Sequence, residues 1–319
     1  MRFLRLAAIA VTTLLVATSA HAQTISIGTS PVGSLNYSLG NALGKVMTEQ
    51  GGLRARVVPF GGGQQFLPLI GKNELELAIP SASDSIFALQ GKAAFEGSPT
   101  PDLRAIGTVF PYYVGFFVKK DSPYKSLSDL KGKKFPVGFT ANSAQRRIYL
   151  AGLASEGLKE SDFDGVAVPH VVRAADDFAQ GKVEATTFAI GGGKVAEVDA
   201  KLGGVRFLNM PNTPKALAGI KEFMPTTYID VVNPAPQFAG VVAPTSVMFE
   251  DYLVLAGKQL SDDAAYKIAK VLYEHQDKLE AIAKPFGRYD KAELARSHGI
   301  TFHPGAIKYY REKGIWKDN

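Results

Sequence analysis

T-I-S-I-G-T-S-P-V-G-S-L-N-Y-S-L-G-N, residues 24–41, is the stretch that decides the fold. Thr24–Ile27 alternate in the manner of a strand, Gly28–Ser34 form a turn of small residues, and Leu35, Leu39, Ala42, Leu43 and Val46 recur at helical spacing. A strand that passes through a small-residue loop into a helix start leaves backbone N–H groups unpaired at the positive end of the helix dipole. That arrangement suits an anion.

The pattern repeats along the chain. Arg54–Phe60 reads as a strand, Gly61–Gln65 as a loop, and Phe66, Leu67, Leu69 and Ile70 as a helix face. Leu75–Ile79 is a third strand, closed by Pro80 and followed by Ser81-Ala82-Ser83-Asp84 and another helix. Three such units imply a parallel sheet with a shared crevice at the strand ends. Arg104–Lys119 is β-prone but carries Pro111, so it reads either as two strands with a bend or as a crossover. Beyond it the same logic resumes. Strands are expected up to Phe139 and at Val166–Val172 and Val183–Ile190, with a short helix at Leu127–Leu130 and a longer one from Asn142 to Gly157. Val247–Ala256 reads as a return strand, Ser261 as the cap of an amphipathic helix reaching Ile282, and His303-Pro304 as the opening of the last helix. Exit near residue 112 and return near 250 divide the chain into lobe I, residues 23–112 and 251–319, and lobe II, residues 113–250. The expected fold is α/β and two-lobed, with two crossing strands that permit hinge closure.

Bulk properties narrow the function. Residues 1–22 combine a basic start, the apolar run Leu6–Val16 and the A-x-A ending at Ala22, which reads as a signal peptide on an exported chain. Removing 22 of 319 residues leaves 297, ample for two lobes. The chain has no cysteine, so neither disulfide stapling nor a lipid-bearing N-terminal cysteine is expected. The formal charge of +6 falls to +4 without Arg2 and Arg5, too mild a balance to suggest nucleic acid. His170, His275, His298 and His303 are scattered without metal-binding spacing, and there is neither a G-x-S-x-G elbow nor a P-loop frame. We expect a binding protein with no cofactor and no enzymatic activity.

Several motifs resemble one family. I-S-I-G-T at 25–29 with Tyr37 and Gly40, Gly61-Gly62, E-L-E-L-A at 74–78, S-L-S-D-L-K-G-K at 126–133, Gly191-Gly192 and H-P-G-A-I-K-Y-Y at 303–310 together resemble the TAXI group of solute-binding receptors of TRAP transporters. The resemblance implies a type II periplasmic binding protein fold. It also implies delivery of a small organic acid to a polytopic TRAP permease driven by an ion gradient. The alternative in the same class is the receptor of an ABC importer for a sulfonate or a pyrimidine precursor; a ligand sensor for a membrane kinase is a further one.

A carboxylate ligand such as a dicarboxylate, amino acid or keto acid needs N–H donors and preferably a cation. Lobe I offers Ser30, Ser34, Asn36, Tyr37, Gly62, Gly63, Gln64, Ser81 and Ser83. Lobe II offers Tyr113, Asn142, Ser143, Gln145, Arg146, Gly191, Gly192 and Gly193. Arg146, one turn into its helix, is the expected carboxylate fork and Arg147 beside it the expected solvated arginine. The competing reading is that the glycines only make tight turns.

Overall fold

The computed structural model describes residues 24–141 and 143–317. The expected signal peptide and Asn142 lie outside the described residues.

Strand β1 (Thr24–Thr29) runs two residues further than its alternation predicts, and the chain turns through Gly33, at φ +87°, into helix α1 (Leu35–Gln50). Ser34 sits in extended backbone and its Oγ accepts the Tyr37 N–H, which caps the helix. β2 (Arg54–Pro59) with α2 (Gly63–Gly71), and β3 (Leu77–Ala78) with α3 (Ala82–Gln90), repeat the unit. β2 and β3 both lie parallel to β1.

The run with Pro111 is not two strands; it crosses from one half to the other, as the second reading had it. It is one strand, β4 (Leu103–Lys119), paired antiparallel with β10 (Thr245–Gly257). Proline is tolerated there because β4 has a partner strand on one side only at that point; its pairing with β7 (Thr186–Ala189) begins at Val114. Register shifts at Tyr252/Leu253 and Val254/Leu255 add local twist next to the crossing.

β4 and β10 thread the whole molecule. At one end β10 pairs with β3, and at the other it pairs with β9 (Tyr228–Val232) while β4 pairs with β7 and β8 (Val205–Phe207). A separate parallel pair, β5 (Lys134–Gly138) and β6 (Asp164–Val168), belongs to the second half. Around it lie α4 (Ser143–Ser155), α5 (Val171–Ala179), α6 (Gly193–Leu202) and α7 (Pro214–Phe223). The expected helix at Leu127–Leu130 is a single 3-10 turn over Ser128–Leu130.

The C-terminal helices return to the first half. Ser261 caps α8 (Asp262–Glu274), but the helix does not continue to Ile282; His275, at φ −119° and ψ 32°, breaks it before α9 (Gln276–Ile282). α10 (Pro304–Glu312) is anchored by the fully buried Tyr310, whose hydroxyl donates to the Ile106 carbonyl of β4 at 2.8 Å. Ile27, Leu39, Leu77, Ile106 and Leu255 fill the core of this half, and Phe117, Phe178 and Phe188 that of the other. Burial on this scale supplies the stability of a chain that has no cysteine.

Candidate functional site

In a βα unit the helix starts where the strand ends, so several units side by side direct their helix N-termini at one place. Five do so here. Ser34 and Leu35 at the start of α1, Gly63 of α2, Ser81 before α3, Ala144 and Gln145 of α4, and Val171 of α5 line one cleft. The first three helices and the last two come from opposite sides of the β4–β10 crossing. Phe66, Ile148 and Phe188 give the walls an apolar character. Tyr112 and Tyr252 lie at the crossing, stacked with centroids 4.7 Å apart and planes 24° from parallel. Burial pushes both phenol pKa values above the usual range, with Glu250 adding to the effect on Tyr112, so both hydroxyls remain protonated.

The expected lobe I residues divide into two sets. Ser30, Ser34, Asn36, Gly63 and Ser81 line the cleft. The Asn36 amide is already engaged: its Oδ1 accepts from Ser30 N at 2.7 Å and its Nδ2 donates to the Ile79 carbonyl at 2.6 Å, which stitches the β1 loop to β3. Ser83 lies beneath the cleft. Its N–H donates to Glu250 Oε1 and its Oγ meets Thr226 Oγ1, and Glu250 is held further by the Thr226 and Thr227 hydroxyls. Tyr37 is half-buried outside the lining. Gly62 and Gln64 sit at the rim, where Gln64 Oε1 accepts from both N and Oγ of Ser143 across the mouth.

In the second half, Gln145 lines the cleft and Arg146 does not. Arg146 forms a two-pronged pair with Glu160, at 3.1 and 2.6 Å, on the outer side of α4. The expectation for the two arginines is reversed. Arg147, expected in solvent, is buried, pairs with Asp84 of α3 and lies over the Phe87 ring at 5.0 Å. Desolvation lowers the Arg147 pKa to about 10, with Glu250 acting in the opposite sense. Tyr113 points away from the cleft, packing on Phe249 and carrying the Arg288 guanidinium 4.2 Å above its ring. Its neighbour Tyr112 lines the cleft instead, because adjacent strand residues face opposite sides. Gly191–Gly193 lie just beyond the lining residues Phe188 and Ala189; Gly191, at φ +84°, is pressed against Phe238 and Arg288.

Among the described lining residues Asp84 carries the one charged side chain. It is the feature that sequence reasoning missed. Its signal was present: Ser81 and Asp84 stand in the S-x-x-D spacing of a helix start, and the Asp84 N–H does donate to Ser81 Oγ. Among the described residues no group of three or more His, Cys, Asp or Glu could hold a metal, and no helix is long and apolar enough to cross a membrane.

An α/β fold with β4 and β10 crossing beside a cleft is the fold of the periplasmic binding proteins. Within it the chain belongs to the NMT1-like family, whose model matches residues 27–314. Among solved structures, PhnD1 from Prochlorococcus marinus in complex with methylphosphonate is similar over 92% of this chain and 99% of that one, at 15% identity and a TM-score of 0.55. A binding protein component of an ABC phosphonate transporter from Pseudomonas aeruginosa is similar over 81% of this chain and 77% of that one, at 13% identity and a TM-score of 0.51. Likeness at such identity establishes the shared fold.

These matches correct the resemblance to TAXI receptors, and the TRAP permease with its ion-driven uptake goes with it. The family is the NMT1-like one, and the neighbours are phosphonate-binding proteins, one of them a component of an ABC transporter. The motifs behind the resemblance build the fold instead of reporting a partner. I-S-I-G-T is β1, and in H-P-G-A the buried His303 caps α10 while Gly305 leaves no space for a side chain against the Asp262 carbonyl.

Proposed function

We propose that the protein is a periplasmic receptor that closes over a small organic anion and presents it to the membrane subunits of an ABC importer. In this reading residues 1–22 direct export, residues 23–112 with 251–319 form one lobe, and residues 113–250 form the other. The observation that carries it is the convergence of five helix N-terminal turns on one cleft built from both sides of the crossing. The apolar walls suit the body of the solute, and the ABC assignment draws on what the similar phosphonate binders are described as doing. The rim contact between Gln64 and Ser143 shuts the mouth, and the solute must favour that shut form for the importer to read it.

Calorimetry with a panel of phosphonates, sulfonates and carboxylates tests the reading. At least one should bind and raise the melting temperature, since a ligand of the folded form stabilises it. Stabilisation by neutral sugars or cations alone would end the anion reading. Stimulation of ATP hydrolysis by an ABC importer reconstituted with it would support the partner.

A further inference from the structure

We infer that Arg288 is a stop behind the hinge: wedged between the two halves on the face opposite the cleft, it limits how far the cleft opens. The inference rests on the receptor reading above and names what sets its resting state. Tyr113 follows Tyr112 on β4 and faces the other way, so the groups packed on Tyr113 lie across the strand from the cleft. Arg288 reaches that side from the C-terminal segment. Its base is fastened to the first half. The Phe286 ring stands edge-on to Phe110 of β4 at 5.3 Å, Gln276 Nε2 donates to the Phe286 and Tyr289 carbonyls, and the Tyr289 hydroxyl donates to the Leu272 carbonyl. Its tip lies against the second half. The guanidinium carbon stands 4.2 Å from the centre of the Tyr113 ring and 4.5 Å from that of Phe238, and a Cβ on Gly191 would stand 3.3 Å from Nη2. Phe238 is fixed in turn: its carbonyl accepts from Val241 N, and the Gly240 carbonyl accepts from Phe207 N of β8.

Packing alone does not account for this arginine. Its terminal nitrogens are buried with no carboxylate in ion-pair contact among the described residues, which costs stability. Asp251, in the same groove, is taken by Arg296 at 2.7 Å. What the position supplies is leverage. When two halves turn about the strands that join them, groups on one face approach as groups on the other separate. With Gln64 and Ser143 in contact over the mouth, the cleft side is shut, and opening it drives Phe238 and Gly191 toward Arg288. Close-packed groups have little slack, so they meet the guanidinium early in that motion. In the shut form the same guanidinium gains from both rings. Both effects favour the shut form. Gly191 closely follows Phe188 and Ala189 of the cleft lining, so the stop bears on the segment that carries part of the site.

Small-angle X-ray scattering of the mature protein decides the point, because the unliganded spacing of the halves is read without knowing the solute. Arg288→Ala should have a larger radius of gyration than the unaltered protein, and saturation with whichever of methylphosphonate, ethanesulfonate and succinate binds should bring both to the same compact value. Release of that probe in stopped flow should be at least about fivefold faster from Arg288→Ala, the scale of one partly desolvated cation–π contact. Phe238→Ala removes the other side of the same contact and should act in the same direction; it decides alone if Arg288→Ala does not fold. Unliganded radii that match the unaltered protein, with contraction on binding retained, would overturn this inference and leave the receptor reading intact. No contraction of any of the proteins with any of the three probes would remove closure over a solute, and the stop with it.

Discussion

Arg147 of α4 and Asp84 of α3 form an ion pair beside the cleft with side chains only 10% and 7% exposed, while Arg146, one residue earlier, pairs with Glu160 at 40% and 29% exposure. The two pairs sit on one helix and differ chiefly in solvent access. Removing one partner of a buried pair strands the other charge away from water, whereas an exposed pair is replaced by hydration.

Arg147→Ala should therefore lower unfolding stability by about 3 kcal/mol, the usual cost of stranding a buried charge. Arg146→Ala should cost no more than about 1 kcal/mol and leave ligand affinity unchanged, because its fork is committed to Glu160. Urea denaturation of the two variants, with calorimetry on Arg146→Ala, checks both. Equal losses would mean that the burial difference has no energetic consequence.

The Gln64–Ser143 contact joins the first turn of α2 to that of α4 over the mouth of the cleft. Its loss should speed ligand release more than it slows capture. Gln64→Ala and Ser143→Ala should each raise the dissociation rate several-fold, about 1 kcal/mol for a neutral hydrogen bond. In a double-mutant cycle Ser143→Ala should add little once Gln64→Ala is present, since Gln64 accepts both contacts and Ser143→Ala removes only the hydroxyl one. Stopped-flow release of a bound solute measures it, and fully additive effects would count against a shared latch.

The architecture was legible because strand and helix periods differ and because small residues mark the strand ends. β1 to α1, the cap at Ser261 and the helix opening at His303-Pro304 all follow from that signal. The site was less legible because its errors are errors of phase. On α4 the residues that reach the cleft are Ala144, Gln145 and Ile148, whereas the reading put Arg146, one turn into the helix, there. Small residues at Ala151 and Gly152 were the better guide, since Gly152 packs against the Phe116 ring. On β4 both faces are largely buried around residues 104–118, so alternation carries almost no information about which of Tyr112 and Tyr113 faces the cleft.

Two glycines one turn apart on α1 offer a test of the opening unit. A Cβ on Gly40 would stand 2.3 Å from Thr29 Cγ2, at the end of β1, whereas one on Gly44 would meet Ile27, Ala55 and Val57 at 3.4–3.7 Å. Gly40→Ala should be destabilising by about 1–3 kcal/mol through overpacking. Gly44→Ala should be neutral or stabilising, as alanine is favoured over glycine inside a helix by about 1 kcal/mol. Thermal denaturation of the two single variants separates them. Equivalent behaviour would show that α1 does not press on β1 at Thr29.

Protonation supplies the last test. His303 is buried at the start of α10, its Nδ1 accepting from Gly305 N and its Nε2 meeting the Leu260 carbonyl, so the neutral ring with hydrogen on Nε2 satisfies both. Burial lowers its pKa from 6.5, outweighing the opposing effects of the Leu260 carbonyl and Asp262, while Arg104 lowers it further. Burial likewise lowers the pKa of His170, the cap of α5. For both, the unfolded chain binds the proton more readily than the folded one. Stability then rises with pH wherever the unfolded state is the more protonated. The histidine contribution is complete above about pH 6.5 and is lost as the pH falls from there through the lower folded-state values. His303→Asn, which can cap a helix but does not titrate, should flatten this part of the profile. Denaturation midpoints between pH 5 and 8 measure the slope, and a profile unchanged by the substitution would assign the pH dependence to other groups.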